Sequence, residues 1–325
     1  MSLLSVRDLT ITYQPARDPL TAVRGVGLDV DAGETVGVAG ESGCGKSTLA
    51  LALLRLLPRD AHVSGQVLLD GDDVLRMRWG RLRAVRWAEA SIVFQGAMHS
   101  LNPVRRIGDQ IAEPIVLHEQ GVDKTSVRER VHELLGQVGL PRRYADGYPH
   151  EISGGQRQRV MIAMALACAP NLIIADESTT ALDVMIQAQV LRLISGLVAQ
   201  RGIGLVMISH DLSVLAATCE RLAVMYAGRV VEHGPSDQVL AAPRHPYTHA
   251  LSAAFPSIGD PASRLNPSGL GGDPPDPRDL PGGCTFHPRC PVATPECATL
   301  DVGPRMVAAG WQAACVHVPG ERAAS

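Results

Sequence analysis

Apolar and polar positions follow two rhythms along this chain. Near its start the period is two, and residues 3–6, 10–13, 26–30 and 35–39 read as short strands, with Asp31-Ala32-Gly33 as a turn. A helix is predicted over 47–57, then strands over 65–70, turning at Gly71, and over 90–94. From Asn102 to Tyr148 the period lengthens. Ile107, Ile111 and Ile115, then Val127, Val131, Leu134, Leu135 and Val138, recur at helical spacing and predict an inserted helical subdomain. The mixed pattern then resumes: a helix over 155–169, a continuous apolar strand over 172–175, a helix over 184–199, a strand over 204–208, a helix over 212–219, and strands over 222–226 and 229–232. Strands alternating with helices predict an α/β core. Beyond Pro256 the chain is rich in Pro and Gly through Gly283, a composition that makes an extended linker.

Composition narrows the classes. A chain of 325 residues, 46% of them hydrophobic, can bury one large core. Its 30 basic and 33 acidic residues leave a net charge of −3, which argues against a protein organised around a nucleic-acid backbone. The basic stretch with Arg76, Arg78, Arg81, Arg83 and Arg86 reads as a solvated face. The N-terminal residues lack a basic segment followed by a long apolar one, so no secretory signal is expected and the chain is placed in the cytosol. The longest apolar run, 160–169, is about half of the ~20 residues that span a bilayer, so membrane association is expected to come through partner proteins.

Between the strand 35–39 and the following helix stands Gly40-Glu41-Ser42-Gly43-Cys44-Gly45-Lys46-Ser47, a complete G-x-x-x-x-G-K-S loop. Glycines let backbone N–H groups converge on a nucleotide β-phosphate, and the helix N-terminus adds its partial positive charge. Lys46 reaches the β/γ oxygens and Ser47 can hold Mg²⁺. Lys46 is one of only two lysines, Lys124 being the other, in a chain that otherwise writes its cations as Arg. The chain is therefore expected to bind ATP or GTP, at one site, since no internal repeat is visible.

The buried strand 172–175 ends in Asp176-Glu177. A carboxylate there can hold Mg²⁺, and Glu177 can orient an attacking water and accept its proton. Upstream, Ile152-Ser153-Gly154-Gly155-Gln156 precedes a helix and forms a second anion-binding device, which a single nucleotide does not need. With these motifs the chain resembles the ATP-binding-cassette (ABC) ATPases, whose signature L-S-G-G-Q is carried as Ile152–Gln156, over about residues 3–255. The resemblance implies a P-loop nucleotide-binding domain with a RecA-like core, an antiparallel β subdomain and a helical subdomain over about 102–155. It further implies that Gln95 is the Q-loop residue and a Mg²⁺ ligand, that Asp183 belongs to the D-loop Ala181-Leu182-Asp183, that His210 is the switch histidine, and that Tyr13 stacks on adenine. Thr48 joins the nucleotide-binding set on the same ground. In this family two cassettes close head to tail over Mg-ATP, with Ser153 and Gly155 of one completing the site of the other. Two positions depart from the common pattern: Ile152 stands where Leu is usual, and Ser178 where Pro often follows the catalytic Glu.

Two segments narrow the branch. Pro243-Arg244-His245-Pro246-Tyr247-Thr248, continuing to Phe255-Pro256, and the region Phe94-Gln95-Gly96-Ala97-Met98 with Ser100-Leu101-Asn102-Pro103 are similar to the oligopeptide, dipeptide and nickel importer ATPases. That resemblance implies a second ATPase subunit, identical or homologous, two permeases, an extracytoplasmic substrate-binding protein and a place on the cytoplasmic face of the membrane. Peptides are the expected cargo, nickel or another solute the alternative. The rival class, a soluble cassette ATPase, usually carries coiled coils or tandem cassettes, neither of which is present.

Seven cysteines fall unevenly. Cys284, Cys290, Cys297 and Cys315 crowd the tail, residues 284–325, in a pattern similar to the cysteine-containing C-terminus of the same importer subgroup. Four thiolates suit a [4Fe–4S] cluster or tetrahedral zinc. The absence of C-x₂-C knuckles and the Cys290-Pro291 pair favour the cluster, with zinc and no metal as alternatives. His287 and His317 are spare ligands, while Cys168 and Cys219 read as apolar helix positions.

Overall fold

The computed structural model describes residues 2–14, 19–94, 100–176, 184–254 and 270–318. In chain order its strands and helices begin β1 (Leu4–Tyr13), β2 (Leu20–Val30), β3 (Thr35–Ala39), α1 (Lys46–Leu53), β4 (Ala61–Leu69), β5 (Asp72–Asp73) and α2 (Trp79–Ala88). There follow β6 (Ala90–Val93), α3 (Ile107–His118), α4 (Lys124–Gln137), α5 (Gly154–Ala165), β7 (Leu172–Asp176), α6 (Val184–Arg201) and β8 (Gly204–Ser209). The series ends with α7 (Leu212–Thr218), β9 (Arg221–Tyr226), β10 (Arg229–Pro235), α8 (Ser236–Ala241), α9 (Pro246–Ala254), β11 (Arg305–Ala308) and β12 (Trp311–Ala313). The backbone divides into two compact units: Met1–Leu3, Val30–Glu34 and Arg76–Val206 form one, and Leu4–Asp29, Thr35–Leu75 and Met207–Ser325 the other.

In the second unit, β2-β1-β4-β5 make a four-stranded sheet. The segments 3–6 and 10–13, separate by pattern, are one strand: β1 stays paired with β4, and the break between them is a bulge between Arg7 and Thr10, where Asp8 turns to φ 47°. The strands β11-β12-β10-β9-β3 lie side by side in a second sheet. There β3 and β9 are parallel, the others antiparallel, and β12 joins through Glu232↔Ala313 and His233↔Gln312. β3 and β9 are almost wholly buried, which explains their unbroken apolar character. The helix predicted over 47–57 stops at Leu53, because Arg55 takes a left-handed conformation at φ 52° that closes the last turn.

In the first unit, β6 and β7 are parallel, from Ala90↔Leu172 to Val93↔Ala175. Helices α3, α4 and α5 pack against one another through Ile107, Ile111, Ile115, Val131, Leu134 and Leu135. The N-terminus of α4 is held by Asp123, which accepts from the N–H groups of Thr125 and Ser126. Arg159 on α5 donates to the Val138 carbonyl at 3.0 Å and so ties α5 to the end of α4. The Arg-rich stretch read as a solvated face contains α2, which buries Leu82 and Val85 and leaves Trp79 exposed.

Candidate functional site

In the second unit the phosphate loop leaves the buried end of β3 and enters α1 at Lys46. Gly45 is the N-cap, at φ 105°, and a Cβ there would lie 2.3 Å from the Ala22 carbonyl oxygen, so only glycine fits. Lys46 is 4% exposed, and its ammonium curls back into its own loop. It donates to the carbonyls of Gly40 at 2.7 Å and Glu41 at 2.9 Å, and lies 3.8 Å from the Cys44 sulfur. A cation is thus held in the concavity of the loop, on oxygens that phosphate oxygens can replace. Burial pushes the Cys44 thiol up, against the pull of Lys46, which keeps it a neutral packing group.

Tyr13, at the end of β1, donates to Thr48 Oγ1 at 3.3 Å, which places its ring beside the first turn of α1. Ser47 sits in that same turn. Glu41 is fixed at three points. Its N–H donates to the Tyr247 hydroxyl at 2.9 Å, its carbonyl accepts from Lys46, and its carboxylate takes two hydrogen bonds from Arg289, at 2.8 and 3.0 Å. Arg289 carried no signal of its own in the sequence. A cavity of about 190 Å³ opens beside Glu41, Ser42, Gly43 and Cys44, walled on its far side by Pro274, Pro275 and Leu280. His210, also in this unit, is exposed just after β8, and the next residue, Asp211, caps α7 by accepting from the N–H groups of Ser213 and Val214.

In the first unit Asp176 ends β7 and is 5% exposed. Ser153 is the N-cap of α5 in a capping box: its hydroxyl accepts from Gln156 N–H at 3.3 Å, and the Gln156 side chain accepts from Ser153 N–H at 2.9 Å. Gly154 and Gly155 are the first residues of that helix, so its N–H groups issue from the signature itself. Gln156 also donates to the Tyr144 hydroxyl at 3.1 Å. Gln95, Glu177 and Asp183 lie outside the described residues.

In the tail, Cys284, Cys290, Cys297 and Cys315 all line one cavity of about 10 Å³, together with Phe286 and Pro246. Burial raises the thiols of Cys284, Cys290 and Cys315 above the ordinary cysteine value, and the neighbouring sulfurs add to the shift. Among the described residues no three His, Cys, Asp or Glu side chains come as close together as a single metal ion requires. His287 and His317 turn a ring nitrogen toward the carbonyls of Cys284 and Val292, each at 2.9 Å.

Residues 23–180 match the family model described as ABC transporter, and residues 231–297 the one described as oligopeptide/dipeptide transporter, C-terminal region. Over 322 residues the chain is 44% identical to the dipeptide transport ATP-binding protein DppD of Escherichia coli (strain K12), covering 98% of this chain and 97% of DppD. The chain belongs to the ATP-binding subunits of ABC transporters, in the oligopeptide/dipeptide branch. A second member of that branch, the oligopeptide transport ATP-binding protein OppD of Salmonella typhimurium, is 42% identical over 297 residues, 91% of this chain and 88% of OppD. Among solved structures, the dimeric post-hydrolysis state of the ATP-binding cassette MJ0796, bound to ADP and Pi, is 29% identical with a TM-score of 0.65. It covers 72% of this chain and 98% of its own. The ABC cassette is therefore an ATPase of a transporter, built on the P-loop fold. None of its described helices is long and apolar enough to cross a membrane.

Proposed function

We propose that this ABC cassette powers the uptake of di- or oligopeptides, hydrolysing ATP as it closes against a second cassette, identical or homologous. The observation that carries this reading is the 44% identity to a dipeptide transport subunit over nearly the whole chain, with Lys46 poised in an intact phosphate loop. Loop residues Gly40 to Gly45, with Lys46, Ser47 and Thr48, take the triphosphate and its Mg²⁺, and Tyr13 takes the adenine. Gln95 and Asp176 complete the Mg²⁺ shell, Glu177 activates the attacking water, and His210 supports hydrolysis. Ser153, Gly154, Gly155 and Gln156 meet the γ-phosphate held by the partner cassette, with Asp183 at the seam. Two permeases receive the motion and an extracytoplasmic binding protein delivers the peptide, which places the cassette on the cytoplasmic face of the inner membrane.

The test is Glu177→Gln in the assembled transporter. Mg-ATP binding should persist while ATP turnover and ATP-driven uptake of a labelled dipeptide both fall by at least about a hundredfold, the usual scale for loss of a general base. Wild-type turnover in the variant would overturn the assignment of the base. Transport of nickel chelates but no peptide by the wild type would overturn the cargo.

The tail is read as the seat of a [4Fe–4S] cluster. What supports this reading is that all four thiols line one cavity, that four thiolates are a ligand set such a cluster takes, and that the sequence lacks the paired C-x₂-C knuckles common in structural zinc sites. Such a cluster would staple a segment that has few large apolar side chains. Anaerobically purified protein should be brown and hold about four iron atoms per chain. Stoichiometric zinc without iron would reject the cluster.

A further inference from the structure

The contact between Arg289 and Glu41 joins residues 248 positions apart in the chain. Arg289 ends the short turn His287–Arg289, one residue before Cys290, and its side chain is 7% exposed against 22% for Glu41. Every polar edge of its guanidinium is used. The two terminal nitrogens grip both carboxylate oxygens of Glu41, Nε donates to the Gly271 carbonyl at 2.9 Å, and Nη1 lies 3.4 Å from the Tyr226 hydroxyl. The guanidinium carbon stands 5.8 Å from the centre of the Tyr226 ring. Tyr226 in turn packs with Tyr247 and Phe286 in an aromatic cluster with ring centres 4.6 to 5.4 Å apart. An exposed ion pair contributes little, but a planar fork held on four sides loses little freedom when it grips a carboxylate.

Glu41 is the second residue of the phosphate loop, and its carboxylate is an anion beside the place where a polyanionic triphosphate must sit. Left without its cation, that carboxylate would repel the nucleotide and free the loop segment whose carbonyl seats Lys46. We infer that Arg289 is a positioning residue for the ATP site, neutralising Glu41 and fixing the loop in the shape that receives the phosphates. The inference rests on the ATP-binding role of the loop and is independent of what the four thiols hold.

Mg-ATP affinity of the full-length chain, measured by titration calorimetry at low and high salt, tests it together with the KM and kcat of the assembled transporter. Arg289→Gln should weaken Mg-ATP binding roughly tenfold at low salt, the scale of one charge-assisted hydrogen-bonded pair, and raise KM in proportion with kcat nearly unchanged. The loss should shrink to roughly threefold at high salt, because ions screen the repulsion between the uncompensated Glu41 carboxylate and the triphosphate. Adding Glu41→Gln to Arg289→Gln should restore most of the affinity, since the uncompensated charge is then gone. Arg289→Lys, which keeps the charge without the fork, should lose only roughly threefold. Unchanged affinity in a folded Arg289→Gln or Arg289→Lys protein would overturn the inference. So would a loss that neither salt nor Glu41→Gln relieves, which would assign Arg289 to general packing of the tail. Should Arg289→Gln fail to fold, the Arg289→Lys affinity decides on the same terms.

Discussion

Lys46 and His245 are both buried ionisable side chains whose partners constrain what they can do. The Lys46 ammonium is buried and satisfied by the Gly40 and Glu41 carbonyls, and a bound nucleotide would exchange those partners for phosphate oxygens. Lys46→Ala should leave the fold intact and abolish Mg-ATP binding, read as loss of the heat signal in a calorimetric titration. His245 is 1% exposed, and burial depresses its pKa to about 4. Its Nδ1 accepts from Tyr247 N–H at 3.1 Å while the ring also bonds the Ala314 backbone, so a second proton would meet a donor instead of an acceptor. The carboxylate of Glu232 is engaged by the backbone N–H groups of Arg244 and His245 and by Trp311. The unfolded chain takes up a proton at this histidine below about pH 6.5, the folded chain only near pH 4. Its stability contribution is thus complete above pH 6.5 and is lost as the pH falls toward 4, by up to about 1.4 kcal/mol per unit. Urea-unfolding curves should show that slope in the wild type and a flatter one in His245→Asn, whose amide oxygen can take the place of Nδ1 as acceptor.

At the scale of elements, the clearest dependence is that of β12 on β10. The Trp311 indole N–H donates to Glu232 at 2.9 Å, Arg244 lies 5.2 Å over the indole ring, and Gly234 opposite has no side chain because a Cβ would fall 2.6 Å from the ring. Trp311→Ala should destabilise the protein by about 3–5 kcal/mol, through the cavity and the lost hydrogen bond to Glu232 together, measured as a lower unfolding midpoint. None of this was legible in advance. β11 and β12 are only four and three residues long, and they become strands because β10, from far back in the chain, offers β12 an edge to which β11 then adds. Helix α2 was hidden for a related reason: its three arginines, Arg81, Arg83 and Arg86, mask the two apolar residues, Leu82 and Val85, that it buries. Where the signal is local it was read well. β3 runs over the predicted residues and β7 over the predicted run plus Asp176, because buried parallel strands are written as short unbroken apolar runs. The phosphate loop was equally plain, being eight consecutive residues, whereas Arg289 and the Tyr226–Tyr247–Phe286 cluster meet it only through long-range folding.

At the scale of the whole molecule, the second compact unit holds Tyr13 and Arg289 together with the phosphate loop, so the tail and the loop share one folding unit. The bond from Arg289 to Glu41 joins them directly, while that from Trp311 to Glu232 ties the tail to β10. Coupling between two such regions is reciprocal: if an ordered tail raises affinity for ATP, then bound ATP must order the tail by the same free energy. The size can be bounded. Ligand at a hundred times its dissociation constant stabilises the folded loop by about 2.7 kcal/mol, so amides that exchange only when the loop opens should slow by up to about a hundredfold. Hydrogen exchange in saturating Mg-ATP should therefore slow amides of 284–297, where Cys284 N–H bonds to Cys297 and Arg289 N–H to Phe286, as well as those of the loop itself. In Lys46→Ala neither region should respond, because no nucleotide binds. In Arg289→Gln at saturating Mg-ATP the loop should still slow while 284–297 does not, since the guanidinium joins residue 289 directly to Glu41 of the loop. Equal protection of the tail in Arg289→Gln and the wild type would mean that nucleotide reaches it through the aromatic cluster instead.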